Sequence, residues 1–262
     1  LKMLVAALML TVLLFGLLLP VIGYYRMKAK LAIAFALVSI GAFISAYAKS
    51  DFTEDRRFPT SLNYIYDVNS GNTFYATYNT HLDDWLKLTL GENPEVASEI
   101  FNTAGSGKYG SKFTFAKKAP KKFIAPSQVY TSRDTVIDGK RFLNFSVFPQ
   151  RNVNDMVLFL SKNVVLNTVR FNGQEVQPEN AETSVLNNRN SDYLLSYRLT
   201  NREPLEVELV TESKAALDFT LFDYSYDLLE NTDFDLPSRP INTMPMPFVN
   251  TDALITIQHF NY

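Results

Sequence analysis

Cysteine is absent from this 262-residue chain, histidine occurs only twice and tryptophan once. Without cysteine there are no disulfides, no thiolate metal ligands and no cysteine nucleophile. His81 and His259 stand 178 residues apart. Neither belongs to an HExxH motif or any paired-histidine pattern of the kind that builds a zinc site. There is no GxSxG elbow, and Gly105-Ser106-Gly107 does not complete the lysine-bearing phosphate-binding motif. No catalytic residue and no metal ligand is therefore assigned in this chain, although His81 has Asp83 and Asp84 beside it.

Acidic residues are missing from the first 50 positions. What stands there instead is two apolar runs, 3–25 and 31–48, of 23 and 18 residues without a charge. Each is long enough to cross a hydrocarbon core of roughly 30 Å. Arg26, Lys28 and Lys30 lie in the short stretch between them, and that excess of positive charge puts the turn on the cytoplasmic side. Everything after Lys49 then lies on the opposite side. A cleavable signal fits poorly, because no small-residue cleavage site is evident and a second apolar run follows at once. A start at Leu1, without an initiator Met and directly inside a helix, is what a fragment of a longer membrane protein would show. The expected organisation is a transmembrane helical hairpin over 1–50 and an exoplasmic β-rich domain over 51–262.

The second part holds 20 basic and 27 acidic residues, a formal charge of about -7. Nucleic acid is not an expected partner for such a domain. Its densest basic stretch, Lys117-Lys118-Ala119-Pro120-Lys121-Lys122, reads as a solvated linker within a long surface loop over 103–122, with a short strand at 113–115. Strands are expected at 61–66 and 72–78, around a turn at Asp67-Val68-Asn69-Ser70-Gly71. Asn79 or Thr80 is placed to cap a short helix over 81–88, and Pro94 to open another over 95–101.

From Gln128 onward the pattern is almost wholly β. Leu143, Phe145 and Val147 alternate with Asn144 and Ser146, as in a sheet with one buried face. Strands are expected at 127–133, 141–148, 156–160, 165–171, 193–199, 205–210, 217–224 and 253–260. Asp138-Gly139 and Asn172-Gly173 are turn signals, the first flanked by apolar residues as in a hairpin. Two prolines in Met244-Pro245-Met246-Pro247 exclude that segment from a central strand. The fold class expected is mainly β, an antiparallel sandwich-like domain after a two-helix transmembrane hairpin. Phenylalanine and tyrosine together number 34, mostly for the core. Tyr64, Tyr66, Trp85, Tyr224 and Tyr226 are the candidates for an interaction surface.

The stretch Leu62-Asn63-Tyr64-Ile65-Tyr66-Asp67-Val68-Asn69-Ser70-Gly71, continuing to Trp85, resembles a segment of membrane-bound zinc metallopeptidases of the M28 type. These are relatives of the endoplasmic reticulum metallopeptidase and the vacuolar membrane protease. Pro237-Ser238-Arg239-Pro240, Met244-Pro245-Met246-Pro247 and a final strand opening at Asp252 resemble the tail of the same family. The resemblance implies a zinc-dependent peptidase domain upstream, then a membrane bundle, then a non-catalytic accessory domain. Zinc would belong to that missing domain, with no cofactor in this chain. The implied partners are the lipid bilayer and the N-terminal peptidase domain of the same protein. The expected location is the inner membrane of a bacterium, with the β-rich domain on the periplasmic side. The alternative is an autonomous membrane-anchored module that binds a glycan or an envelope protein, and a third is a hydrolase using His81 or His259.

Overall fold

The computed structural model describes residues 2–24, 27–100, 112–177, 186, 189–212 and 214–262. The chain divides into two compact units, Leu1–Phe52 and Thr53–Tyr262. The first contains helices α1 (Lys2–Tyr24) and α2 (Lys28–Ala48). Both are long and apolar enough to cross a membrane, and none of their membrane-length windows is buried by protein. Helix α1 continues through Pro20, and the Thr11 hydroxyl donates back to the Ala7 carbonyl at 2.7 Å.

The second unit is mainly β. Its first strands are β1 (Phe58–Thr60), β2 (Asn63–Asp67) and β3 (Thr73–Thr77), followed by helix α3 (Asp84–Leu90), β4 (Glu95–Val96), helix α4 (Ala97–Ile100) and β5 (Phe115–Lys118). The middle of the chain gives β6 (Gln128–Ile137), β7 (Lys140–Phe148), β8 (Asp155–Leu160), β9 (Leu166–Phe171), β10 (Gln174–Glu175) and β11 (Tyr193–Arg198). The last strands are β12 (Leu205–Glu212), β13 (Asp218–Ser225), β14 (Thr243–Pro245) and β15 (Leu254–Asn261), with a 3-10 turn at Thr232–Phe234.

They form three sheets. A five-stranded sheet has the order β10-β9-β12-β7-β6, and an eight-stranded sheet the order β11-β8-β13-β15-β2-β3-β5-β4. The third is the β1–β14 pair. Pairing is antiparallel throughout the five-stranded sheet, but β2 runs parallel to β15 and β1 parallel to β14, so the expectation of a purely antiparallel domain is corrected. The reason is topological. Both parallel pairs join the start of the domain to its end, and no hairpin connects them.

Local sequence explains the five-stranded sheet well. Asp138 and Gly139 both take positive φ (50° and 77°), the geometry of a two-residue hairpin that matches strand twist, and Ile137 pairs with Lys140 across it. Asn172 and Gly173 do the same between β9 and β10. On β7, Leu143, Phe145 and Val147 are buried while their neighbours are not; on β12, Leu205, Val207 and Leu209 repeat the pattern. These side chains form one apolar cluster with Leu166 and Val169 of β9, Met156, Leu158 and Leu160 of β8, and Phe219 and Leu221 of β13. That cluster therefore draws on both large sheets.

The central strands of the eight-stranded sheet are buried almost continuously, as expected where both faces are covered. Alternation sorts their side chains. Phe222, Tyr224, Ile255, Ile257, Val157 and Ile65 share a second cluster on the opposite face from Phe219 and Leu221. A third cluster, around Tyr64, Tyr75 and Leu254, is completed by Trp85, Leu86 and Leu90 of α3 and by Leu228 and Phe234.

Three local expectations are corrected. Helix α3 is capped by Asp83, whose carboxylate accepts from Leu86 N at 2.7 Å, and not by Asn79 or Thr80. Asn79 is occupied elsewhere: its Oδ1 accepts from Ser61 N and Ser61 Oγ at 2.9 and 3.0 Å. Residues 95–96 pair with β5 as a strand, leaving only Ala97–Ile100 helical, and residue 101 lies outside the described residues. The strand expected at 113–115 is instead Phe115–Lys118, paired with β3, so Lys117 and Lys118 stand on a sheet and not in a linker. Of the loop expected over 103–122, residues 103–111 lie outside the described residues.

Candidate functional site

Two nodes of inward-facing charge organise the domain, and each draws together distant parts of the chain. The first is centred on Asp223 of β13, 1% exposed. By strand alternation Asp223 points to the same face as Phe219 and Leu221. Its carboxylate pairs with Arg151, just after β7, and accepts from Ser127 N at 3.3 Å and Ser127 Oγ at 2.8 Å, just before β6. Arg151 also donates to Ser225 Oγ, and to the carbonyls of Asp223 and Leu254 at 3.2 and 3.4 Å. The chain thus enters and leaves the β6–β7 hairpin at one carboxylate. A buried ion pair of this kind holds because both terminal guanidinium nitrogens and the carboxylate are hydrogen-bonded, while Arg151 Nε is buried without a partner among the described residues.

The second node joins the beginning and end of the domain. Arg239 pairs with Asp252 and donates to the carbonyls of Thr60 and Met244, both at 3.3 Å. Its guanidinium lies over the ring of Trp85, 4.7 Å from the centroid, and Trp85 Nε1 donates to the Pro237 carbonyl at 3.0 Å. Asp252 takes φ 58°, and its amide donates to Leu62 O at 2.9 Å. Nearby, Asn63 Oδ1 accepts from Ala253 N at 3.1 Å and fixes the register of the parallel β2–β15 pair.

The two histidines are not brought to a common centre. His259 on β15 meets the Thr220 hydroxyl at 2.9 Å, and its backbone is bracketed by the Asn69 amide. His81 lines an open cleft of about 420 Å³ with Thr80, Leu82, Lys87, Glu92, Asn93, Pro94 and Phe115. The acids beside it are engaged elsewhere: Asp83 caps α3, and Asp84 and Glu92 flank Lys87 at 3.8 and 3.4 Å. Among the described residues, no group of three or more His, Cys, Asp or Glu side chains is arranged to hold a metal ion.

The aromatic candidates separate by exposure. Tyr64, Trp85 and Tyr224 are buried and offer no interaction surface, which corrects that expectation. Tyr64 stacks edge-on against Tyr75 and Phe234, while its hydroxyl donates to Pro120 O and accepts from Lys122 N. Aromatic rings on central strands gain more by burial than by display. Tyr66 is half-buried with Lys121 5.5 Å from its ring centroid. Tyr226 is 43% exposed, donates to Asn250 Oδ1 at 3.1 Å, and has its phenol pushed up to about 12 by burial and by Asp155. Of the residues assigned to membrane orientation, Lys28 and Lys30 open α2 and Arg26 lies outside the described residues.

Sequence reasoning missed the roles of Arg151, Asp223 and Arg239. Arg239 stood inside a quoted motif, and its prolines signalled a fixed backbone around it. Arg151 and Asp223 carry no local signal, because their meeting depends on sheet order. No family model matches the chain, and no curated protein matches it either.

Proposed function

We propose that residues 53–262 are a non-catalytic accessory domain, with the five- and eight-stranded sheets packed as a sandwich, and that α1 and α2 tether it to the membrane. The parent would be a zinc-dependent membrane peptidase of the M28 type, with the accessory domain on the exoplasmic, periplasmic side of a bacterial inner membrane. Zinc and the hydrolytic residues would reside in an upstream peptidase domain, which this domain would contact or hold near the membrane.

One observation carries the reading. The two segments that resemble the family, one reaching Trp85 and the other beginning at Pro237, are 152 positions apart yet share the Trp85–Pro237 hydrogen bond and the Trp85–Arg239 stack. Segments that resemble one family separately are thus parts of one structural unit here. The two inward-facing ion pairs also have a structural use for each charge, which suits a domain that supports chemistry performed elsewhere.

The test is to express the chain with and without its upstream coding sequence and assay zinc-dependent hydrolysis of peptide substrates. The expected result is activity only with the upstream region, abolished by chelation. Peptide hydrolysis by the chain alone, or an upstream sequence with no His, Asp and Glu zinc ligands, overturns the reading. Saturable binding of a glycan by the chain alone, with no upstream peptidase, would favour the anchored binding module instead.

A further inference from the structure

Charge is segregated sharply within the second unit. Between Glu99 and Asp134 there are 34 residues without a single acid, although the domain's average would place about four there. The same stretch contains six lysines and Arg133. Its described part is a built surface. Ala116 and Ala119 are buried, Ile124 is buried, and the Tyr64 hydroxyl holds the backbone from both sides through Pro120 O and Lys122 N. On this anchored segment Lys117, Lys118 and Lys121 are exposed, and Phe123 is 96% exposed. Lys117 Nζ leans to the Thr89 carbonyl at 3.3 Å and Lys121 lies over Tyr66. Among the described residues, Lys118 and Lys122 have no such internal contact for their ammonium groups.

The Phe123 ring, held out beside buried Ile124 and within a run of lysines, adds nothing to the core of the domain. We propose that this basic and aromatic edge segment docks on an anionic lipid surface, Phe123 entering the headgroup region and Lys118 and Lys122 meeting lipid phosphates. Charge complementarity selects this occupant: the domain is acidic overall, and this is its one long acid-free stretch. Two helices of membrane-crossing length and composition also keep a bilayer at hand for a patch that would bind weakly by itself. Lysine suits lipid headgroups as a hydrated point charge, and aromatic rings settle at the membrane interface. The inference needs the two helices to be membrane spans but does not need the peptidase reading.

The chain's single tryptophan makes the test direct. Trp85 is 4% exposed and serves as an internal background. The full chain carrying Phe123→Trp is reconstituted in vesicles of phosphatidylcholine with brominated acyl chains, alone or mixed with phosphatidylglycerol. The expected result is quenching of the added tryptophan in the anionic vesicles, weakened by salt. Lys118→Gln/Lys122→Gln in the same background should remove at least about half of it, with unchanged circular dichroism as the check on folding. No extra quenching in either vesicle overturns the proposal, and is what a soluble protein occupant would give. Equal quenching in both vesicles, insensitive to the lysine changes, overturns it as well.

Discussion

The five-stranded sheet and the part of the eight-stranded sheet around β2, β3 and β15 use similar residues but close over very different lengths of chain. In the first, a two-residue turn brings Ile137 to Lys140. In the second, the Asn63–Ala253 contact spans 190 positions. Loop closure over that distance costs about 4 kcal/mol more than over a two-residue turn. The register of the hairpins is fixed by Asp138-Gly139, by Asn172-Gly173 and by the alternation of Leu143, Phe145 and Val147. The β2–β15 pair has no turn to fix it, and it is there that inward-facing Asn63, Arg239 and Asp252 collect. The comparison teaches that polar groups in this domain specify how the distant ends meet, while apolar periodicity suffices where neighbours in sequence are neighbours in space.

The largest expected effect lies where the two halves join. Arg151→Met leaves the Asp223 carboxylate buried without its cation and should cost about 3–5 kcal/mol in denaturant unfolding. Adding Asp223→Leu should recover most of that loss. A single substitution costing well under 1 kcal/mol would mean that the node does not link the sheets energetically. A smaller and more local change is expected from Trp85→Phe. It removes the bond to Pro237 and weakens the Arg239 stack, for about 1–2 kcal/mol. Amide exchange should then quicken in β1, β14 and the start of β15 and remain unchanged in the β6–β7 hairpin. Loosening of both regions together would erase the distinction drawn between them.

The smallest effect is in the pH dependence. Arg141 beside Asp134 holds that carboxyl below its usual range. Its folded pKa is depressed, so its stabilisation is present above the unfolded pKa and lost as pH falls through the folded one. The Asp134 end of the pair is exposed to solvent, which limits the contribution to about 0.5 kcal/mol or less. Asp155 has the opposite sign, because burial pushes its carboxyl up against the hydrogen bond from Ser196. Its ionisation opposes folding at neutral pH, and that penalty is relieved as pH falls through the raised folded pKa. Thermal unfolding from pH 7 to pH 3 should therefore show Asp134→Asn losing stability relative to the parent only at the neutral end. Asp155→Asn should gain there, with its advantage disappearing in acid.

Much of the strand pattern was legible because alternation and turn chemistry are local. The two Asx-Gly turns and the strands β6 to β9 and β11 to β13 fall within a few residues of where periodicity and turn chemistry put them, whereas the short β10 was not expected. The apolar runs likewise read directly as the two long helices. What was not legible depends on partners far away. Asn79 and Asp83 are equally good cap residues in isolation, and the choice falls to Asp83 because Ser61 takes Asn79. Residues 95–96 become a strand only because the β5 edge is there to receive them. Tyr64 and Tyr224 looked like surface candidates because composition does not tell which face of a strand is covered.

The parallel pairing of β2 with β15 has a mechanical consequence. Strand β2 lies on the side of the chain that leads back to the apolar helices, and β15 leads to Tyr262. A pull between those two ends draws the paired strands in opposite directions along their length. The β2–β15 bonds then carry the load together in shear, and do not peel apart one after another. A domain with this topology, pulled between those two ends, resists extension with its strongest geometry.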